Sequence, residues 1–155
     1  MTTRPLRILV VEDNEARVEA FTRWSPRGVR LIWAKSAGVA IGMLKRDRGR
    51  VYDGIMLDHD LTAQRLTMHD ARFTGRDVVV AVIENVDSDV PVFVHSANDG
   101  GGPRMADTLR SAGFEVGQVP MYRLDERRFR DWILEVREAL DEEDEEDEED
   151  EEDEE

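Results

Sequence analysis

Short apolar runs, each too brief for a buried helix, alternate along this chain with stretches of helical periodicity. Arg7–Val11, Val29–Ala34, Gly54–Leu57, Pro91–Val94 and Phe114–Val119 read as strands; the second has the loose alternation of an edge, and the last is weak and stopped by Pro120. Asp13 or Asn14 caps a helix through Trp24, with Val18, Phe21 and Trp24 on its apolar face, and Pro26 and Gly28 beyond it. Ser36 caps the next, packed through Ala37, Ala40, Ile41 and Leu44. Thr74 and Gly75 open a third, with Val78, Val79, Val82 and Ile83 inward. A fourth runs from about Arg104 to Ser111, with Pro103 in its first turn and Gly113 after it. The last, from Asp125 to Leu140, has the cleanest stripe: Phe129, Trp132, Ile133, Val136 and Leu140. Strictly alternating strands and helices predict an α/β fold with a five-stranded parallel, doubly wound sheet in the flavodoxin-like order 2-1-3-4-5.

That order sets strands one, three and four side by side, and each runs into polar residues where it ends. The first stops at Glu12-Asp13-Asn14, the third at Asp58-His59-Asp60, the fourth at His95-Ser96-Ala97-Asn98. Sites in this architecture lie at the carboxyl ends of the strands, so the three clusters converge. Asp13, Asp58 and Asp60, with Glu12, make an all-oxygen group suited to a hard divalent ion, Mg²⁺ or Mn²⁺. Such an ion offsets carboxylate repulsion and polarises a phosphoryl group. The Gly-rich turn Asn98–Pro103 and Arg104 offer backbone N–H groups and a cation for phosphate. His59 and His95 are of the right type to move protons near neutral pH. His95 follows four apolar residues, so a buried structural histidine is the competing reading; His69, in the polar stretch Thr62–Phe73, reads as a surface residue.

Cysteine is absent, which excludes disulfides, thiolate metal sites and thiol nucleophiles. No apolar run approaches the ~20 residues of a membrane span, and the first residues carry no signal-type segment, so a soluble cytoplasmic protein is expected. The fifteen residues Asp141–Glu155 are all Asp or Glu and supply the whole formal charge of −15, leaving a body balanced in acids and bases. The expected organisation is a domain over 1–140 and a disordered polyacidic tail over 141–155. The tail reads as a solubilising segment, or as a nucleic-acid mimic that competes for a basic surface on a partner or on the domain itself.

Glu12-Asp13, Asp58 and Ser96 resemble the acidic pair, phosphoacceptor and hydroxyl positions of two-component receiver domains. The lysine such domains carry at the end of strand five is missing, because Val119 stands before Pro120. LDHDL, TGRDV and VHSAND, with downstream glycines and Met105, are similar to a narrower group, the cyclic-phosphate-processing receiver-like family. That resemblance covers about residues 6–120. It implies a metal-assisted phosphoesterase acting on cyclic phosphates of nucleotides or RNA ends. Asp13 and Asp58 would hold the metal with Asp60, His59 and His95 would form an added acid–base pair, and Ser96, Asn98 and Arg104 would bind phosphate. Attack on phosphorus by Asp58 or by a water activated at the ion both remain open. The alternatives are a signalling module, either an atypical receiver phosphorylated on Asp58 or a pseudo-receiver that only binds partners, and a cyclic-nucleotide sensor that does not hydrolyse its ligand.

Overall fold

The strands form one parallel sheet in the order β2-β1-β3-β4-β5, with β1 Leu6–Val11, β2 Val29–Ala34, β3 Gly54–Asp58, β4 Val92–Ser96 and β5 Val116–Pro120. The helices are α1 Glu15–Trp24, α2 Ala37–Arg46, α3 Gly75–Asn85, α4 Gly101–Ser111 and α5 Glu126–Asp153. This computed structural model describes residues 4–61, 73–96 and 101–154. The expected fold class and strand order are both present. The strands reach further into the polar clusters than apolar content alone indicates: Asp58 pairs in register with His95, and Ser96 with Pro120. Pro120 is accommodated because β5 is an edge strand, where a missing N–H costs no ladder bond.

Strand alternation divides the core in two. Leu6, Ile8, Val10, Met56, Phe93 and Val119 face α1 and α5, where Phe21, Phe129, Trp132 and Val136 cover them. Leu9, Val11, Ile55, Leu57, Val92 and Val94 face α2, α3 and α4. Helix starts follow the expected caps. Asn14 accepts from the Arg17 N–H, Ser36 from that of Val39, and Asp125 from that of Arg128. Thr74 and Asp77 close a capping box on α3. α5 lies unusually close to the sheet over Gly54, where a Cβ would meet Val136 Cγ2 at 2.9 Å and Trp132 Cη2 at 3.0 Å.

The acidic run departs from expectation. Instead of a disordered tail beginning at 141, α5 continues through it to Asp153. The stripe Phe129–Leu140 nucleates the helix on the sheet, and each further residue then adds to an existing turn. Glutamate is also a good helix former. Glu143 falls at the next position of the stripe and forms an ion pair with Arg50. Among the described residues, no helix is long and apolar enough to cross a membrane.

Candidate metal and phosphate site at the carboxyl ends of the strands

Beyond the apolar row Val10–Met56–Phe93 the same face of the sheet carries a polar one. Asp58 and His95 are register partners, and Glu12 follows Val11, the partner of Leu57, so that it stands beside Asp58. Glu12, Asp58 and His95 are each completely buried. Each offers a ligand atom, and these atoms all lie within 4.8 Å of one another. His95 Nε2 is 3.6 Å from Glu12 Oε2, and its ring packs nearly perpendicular to that of Phe21, centroids 5.6 Å apart. Neither ring nitrogen of His95 has a hydrogen-bond partner among the described residues, and nor does Glu12 Oε2. Orphaned polar atoms are rare in a buried row, because each costs the desolvation of its group. These three orphaned atoms belong to Glu12 and His95; with Asp58, whose oxygens are held by the Asp60 N–H and Arg17, the row offers two carboxylates and one imidazole, a donor set that fits a divalent cation.

Burial governs the protonation of this row. It pushes the Glu12 carboxyl up to about 9, reinforced by repulsion from and hydrogen bonding to Asp58, and opposed by the Asn14 N–H and Arg17. Asp58 is also raised by burial, eased by the Asp60 N–H, by Glu12 and by Arg17. The two carboxyls therefore hold a proton between them at neutral pH. His95 is lowered to about 3, chiefly by burial and further by Arg17, and is a neutral imidazole.

Among the described residues, Arg17 is the cation in contact with the row. Its Nη1 lies 3.4 Å from both Glu12 Oε1 and Asp58 Oδ2. Glu12 Oε1 also accepts from the Asn14 N–H at 3.0 Å, and Asp58 Oδ1 from the Asp60 N–H at 2.8 Å. The sequence reading missed Arg17. Its signal was a positive charge in the first turn of a helix, where the dipole disfavours it.

A more open layer lies in front. His59 Nδ1 is 3.1 Å from Asp60 Oδ1, both side chains about one-third exposed, and Ser96 Oγ donates to Asp60 Oδ2 at 3.2 Å. The His59 N–H is held by the His95 carbonyl at 3.1 Å. Gly75 lets the start of α3 close on this turn, since a Cβ there would meet His59 O and Met105 Cε, each at 3.0 Å. Thus the TGRDV stretch supplies both the cap and the close approach.

The other expected site residues are distributed as follows. Asp13 is buried, and its charge contributes to raising Asp58, but the ligand-distance group contains His95 rather than Asp13 or Asp60. Arg104 is exposed on α4 and makes no side-chain bond to these residues among those described. Asn98 and His69 lie outside the described residues.

A family model described as the cyclic-phosphate processing receiver domain matches residues 7–111. The chain belongs to that family. Among solved structures, the receiver domain of an HD domain-containing protein from Pseudomonas fluorescens Pf-5 is 16% identical, with TM-score 0.63 over 90% of this chain and 97% of that one. The response regulator domain of Thermotoga maritima CheB is 15% identical, with TM-score 0.61 over 89% and 98%. The receiver domain of a sensor histidine kinase from Pseudomonas aeruginosa PAO1, solved with a magnesium ion coordinated in its active site cleft, is 20% identical, with TM-score 0.60 over 85% and 97%. No curated protein matches the chain. This cyclic-phosphate processing receiver domain departs from ordinary receivers at β5. Val119, the register partner of His95, is buried in the core where a lysine would end the strand.

Proposed function

We propose that this domain is a divalent-metal-assisted phosphoesterase that opens cyclic phosphates on nucleotides or RNA ends. The observation that carries the reading is the buried row Glu12–Asp58–His95, in which Glu12 and His95 have unpartnered ligand atoms among the described residues, beside the half-open His59–Asp60 pair. The donor set favours Mn²⁺ or Mg²⁺, with the imidazole tilting it toward Mn²⁺. When bound, the ion would supply Lewis-acid stabilisation of charge on the phosphoryl oxygens. The Glu12–Asp58 proton would leave as the ion enters.

The chain's own groups then have distinct tasks. Asp60 holds His59 through Nδ1, which leaves Nε2 of this partly exposed ring as the atom that exchanges a proton. Ser96 fixes the other oxygen of Asp60 and so keeps that carboxylate in place. In the reaction, water forms a new P–O bond while the bond from phosphorus to one ring oxygen breaks. The proton lost by the water ends on the freed alkoxide, and a phosphomonoester results. Asp58 is buried and paired with Arg17, so it would hold the ion rather than serve as a nucleophile in this scheme. The buried valine where receivers carry lysine weighs against stable aspartyl phosphate signalling.

The test is to incubate the full chain with 2′,3′-cyclic nucleotides and cyclic-phosphate-ended RNA, with Mn²⁺, with Mg²⁺, or with chelator. Metal-dependent release of a phosphomonoester, abolished in His59→Ala, is the expected result. A folded, metal-loaded protein that turns over none of them would overturn the proposal. Labelling of Asp58 by a small phosphodonor, without turnover, would identify a signalling receiver instead.

A further inference from the structure

At the opposite end of the sheet, Arg4, Pro5, Arg7, Arg30, Arg50 and Val51 line an open cleft of about 530 Å³. Its four arginines are not equally engaged. Arg4 grips the buried Asp53 through two bonds, at 2.7 and 3.0 Å, and Asp53 also accepts from the Arg7 N–H at 2.8 Å. Arg7 and Arg30 are register partners on β1 and β2, both exposed, and neither guanidinium has an ion-pair partner among the described residues. Like charges on adjacent strand positions repel unless an anion sits between them. Arg50 is the most informative. Its side chain is 90% buried and its Nε meets Glu143 Oε2 at 2.5 Å. Its Nη1 and Nη2 are buried without a hydrogen-bond partner among the described residues. A guanidinium presents five donors in a planar fork that matches phosphate oxygens, and here two nitrogens of that fork go unused.

We propose that this cleft is a second anion site, binding phosphate through Arg50, Arg30 and Arg7, and that Glu143 of the acidic run sits there as an intramolecular competitor. Glu143 lies one turn beyond Leu140, the last buried residue of the α5 stripe, so the packed part of the helix delivers it to Arg50. Asp144 and Glu143 also act on Arg4 electrostatically, so the first acidic turn influences a second arginine of the cleft besides Arg50. The remainder of the run keeps a high density of negative charge nearby, which an incoming phosphate must displace. Because the cleft lies at the amino ends of the strands, the inference stands apart from the proposed phosphoesterase and survives its failure.

Isothermal titration of the full chain with inorganic phosphate, and with single-stranded RNA bearing only hydroxyl ends, tests this directly. Saturable binding is expected, weakened roughly tenfold in Arg30→Gln, where one charge-assisted contact to phosphate is lost. For RNA the salt slope should also fall by about one. Glu143→Gln should tighten binding several-fold. Arg30 is exposed and unpaired, so its replacement reads binding without threatening the fold. Inorganic phosphate binding as well as RNA would identify a small phosphate ligand; affinity that grows with RNA length would identify a strand backbone. Either result upholds the site. No saturable binding of either probe, or affinities unchanged by both substitutions, would overturn it.

Discussion

Arg17 Nη1 lies at the same distance, 3.4 Å, from a carboxylate oxygen of Glu12 and from one of Asp58, and is the cation that holds the two buried acids together. A divalent ion on that row would compete for the same oxygens. Arg17→Met should therefore destabilise the metal-free protein by about 1–3 kcal/mol, the range for leaving a buried polar group unsatisfied. The same variant should gain more stability than the parent when Mn²⁺ is added. Urea unfolding with and without Mn²⁺ measures both; equal metal-induced gains in the two proteins would show that Arg17 and the ion do not share ligands.

Asp58→Asn should behave in the opposite way. It removes one charge from a buried pair, so the metal-free protein should lose little stability or gain some. It also removes a ligand. Saturating Mn²⁺ at one hundred times its dissociation constant should stabilise the parent by about 2.7 kcal/mol and the variant by much less. Thermal unfolding at matched metal concentrations checks this.

The pH dependence follows from two shifts of opposite kind. His95 titrates near 3 when folded against an ordinary 6.5, so stability is lost as pH falls from 6.5 toward 3. Glu12 titrates well above its ordinary 4.5, so the folded state holds an extra proton above 4.5 and stability is lost as pH rises from there. Between 4.5 and 6.5 the two slopes oppose each other and give a plateau. Glu12→Gln should remove the alkaline decline and leave the acid one. Chemical denaturation at a series of pH values decides this, and an unchanged alkaline limb would count against a protonated Glu12.

Gly75→Ala places a methyl group against the His59 carbonyl, an immovable backbone atom, and against the mobile end of Met105. Overpacking of this kind costs about 1–3 kcal/mol. Since the strain falls on the turn that carries His59 and Asp60, kcat on a cyclic nucleotide should drop by more than KM rises. A variant with full stability and full turnover would show that the close approach is incidental.

The strand order was legible because every strand is a short apolar run followed by a helical stripe, which leaves few topologies. The meeting of Glu12 and Asp58 followed from that order. His95 could be assigned to a face from alternation alone, since it lies two residues after Phe93. Its depth beneath Phe21 depends on how α1 packs, which no local pattern reports. Arg17 was hidden for a related reason: it reaches across from α1 to Asp58, 41 positions away. The acidic run misled through composition, because its repulsion is visible in the residues while the packed helix and Arg50 that anchor it are not.

The most direct test is pulsed electron paramagnetic resonance of Mn²⁺ added to the full chain. A buried row of Glu12, Asp58 and His95 predicts one bound ion per chain, coupled to a single imidazole nitrogen, with that coupling lost in His95→Gln. Mn²⁺ that binds without nitrogen coupling, or a spectrum identical in His95→Gln, would contradict it.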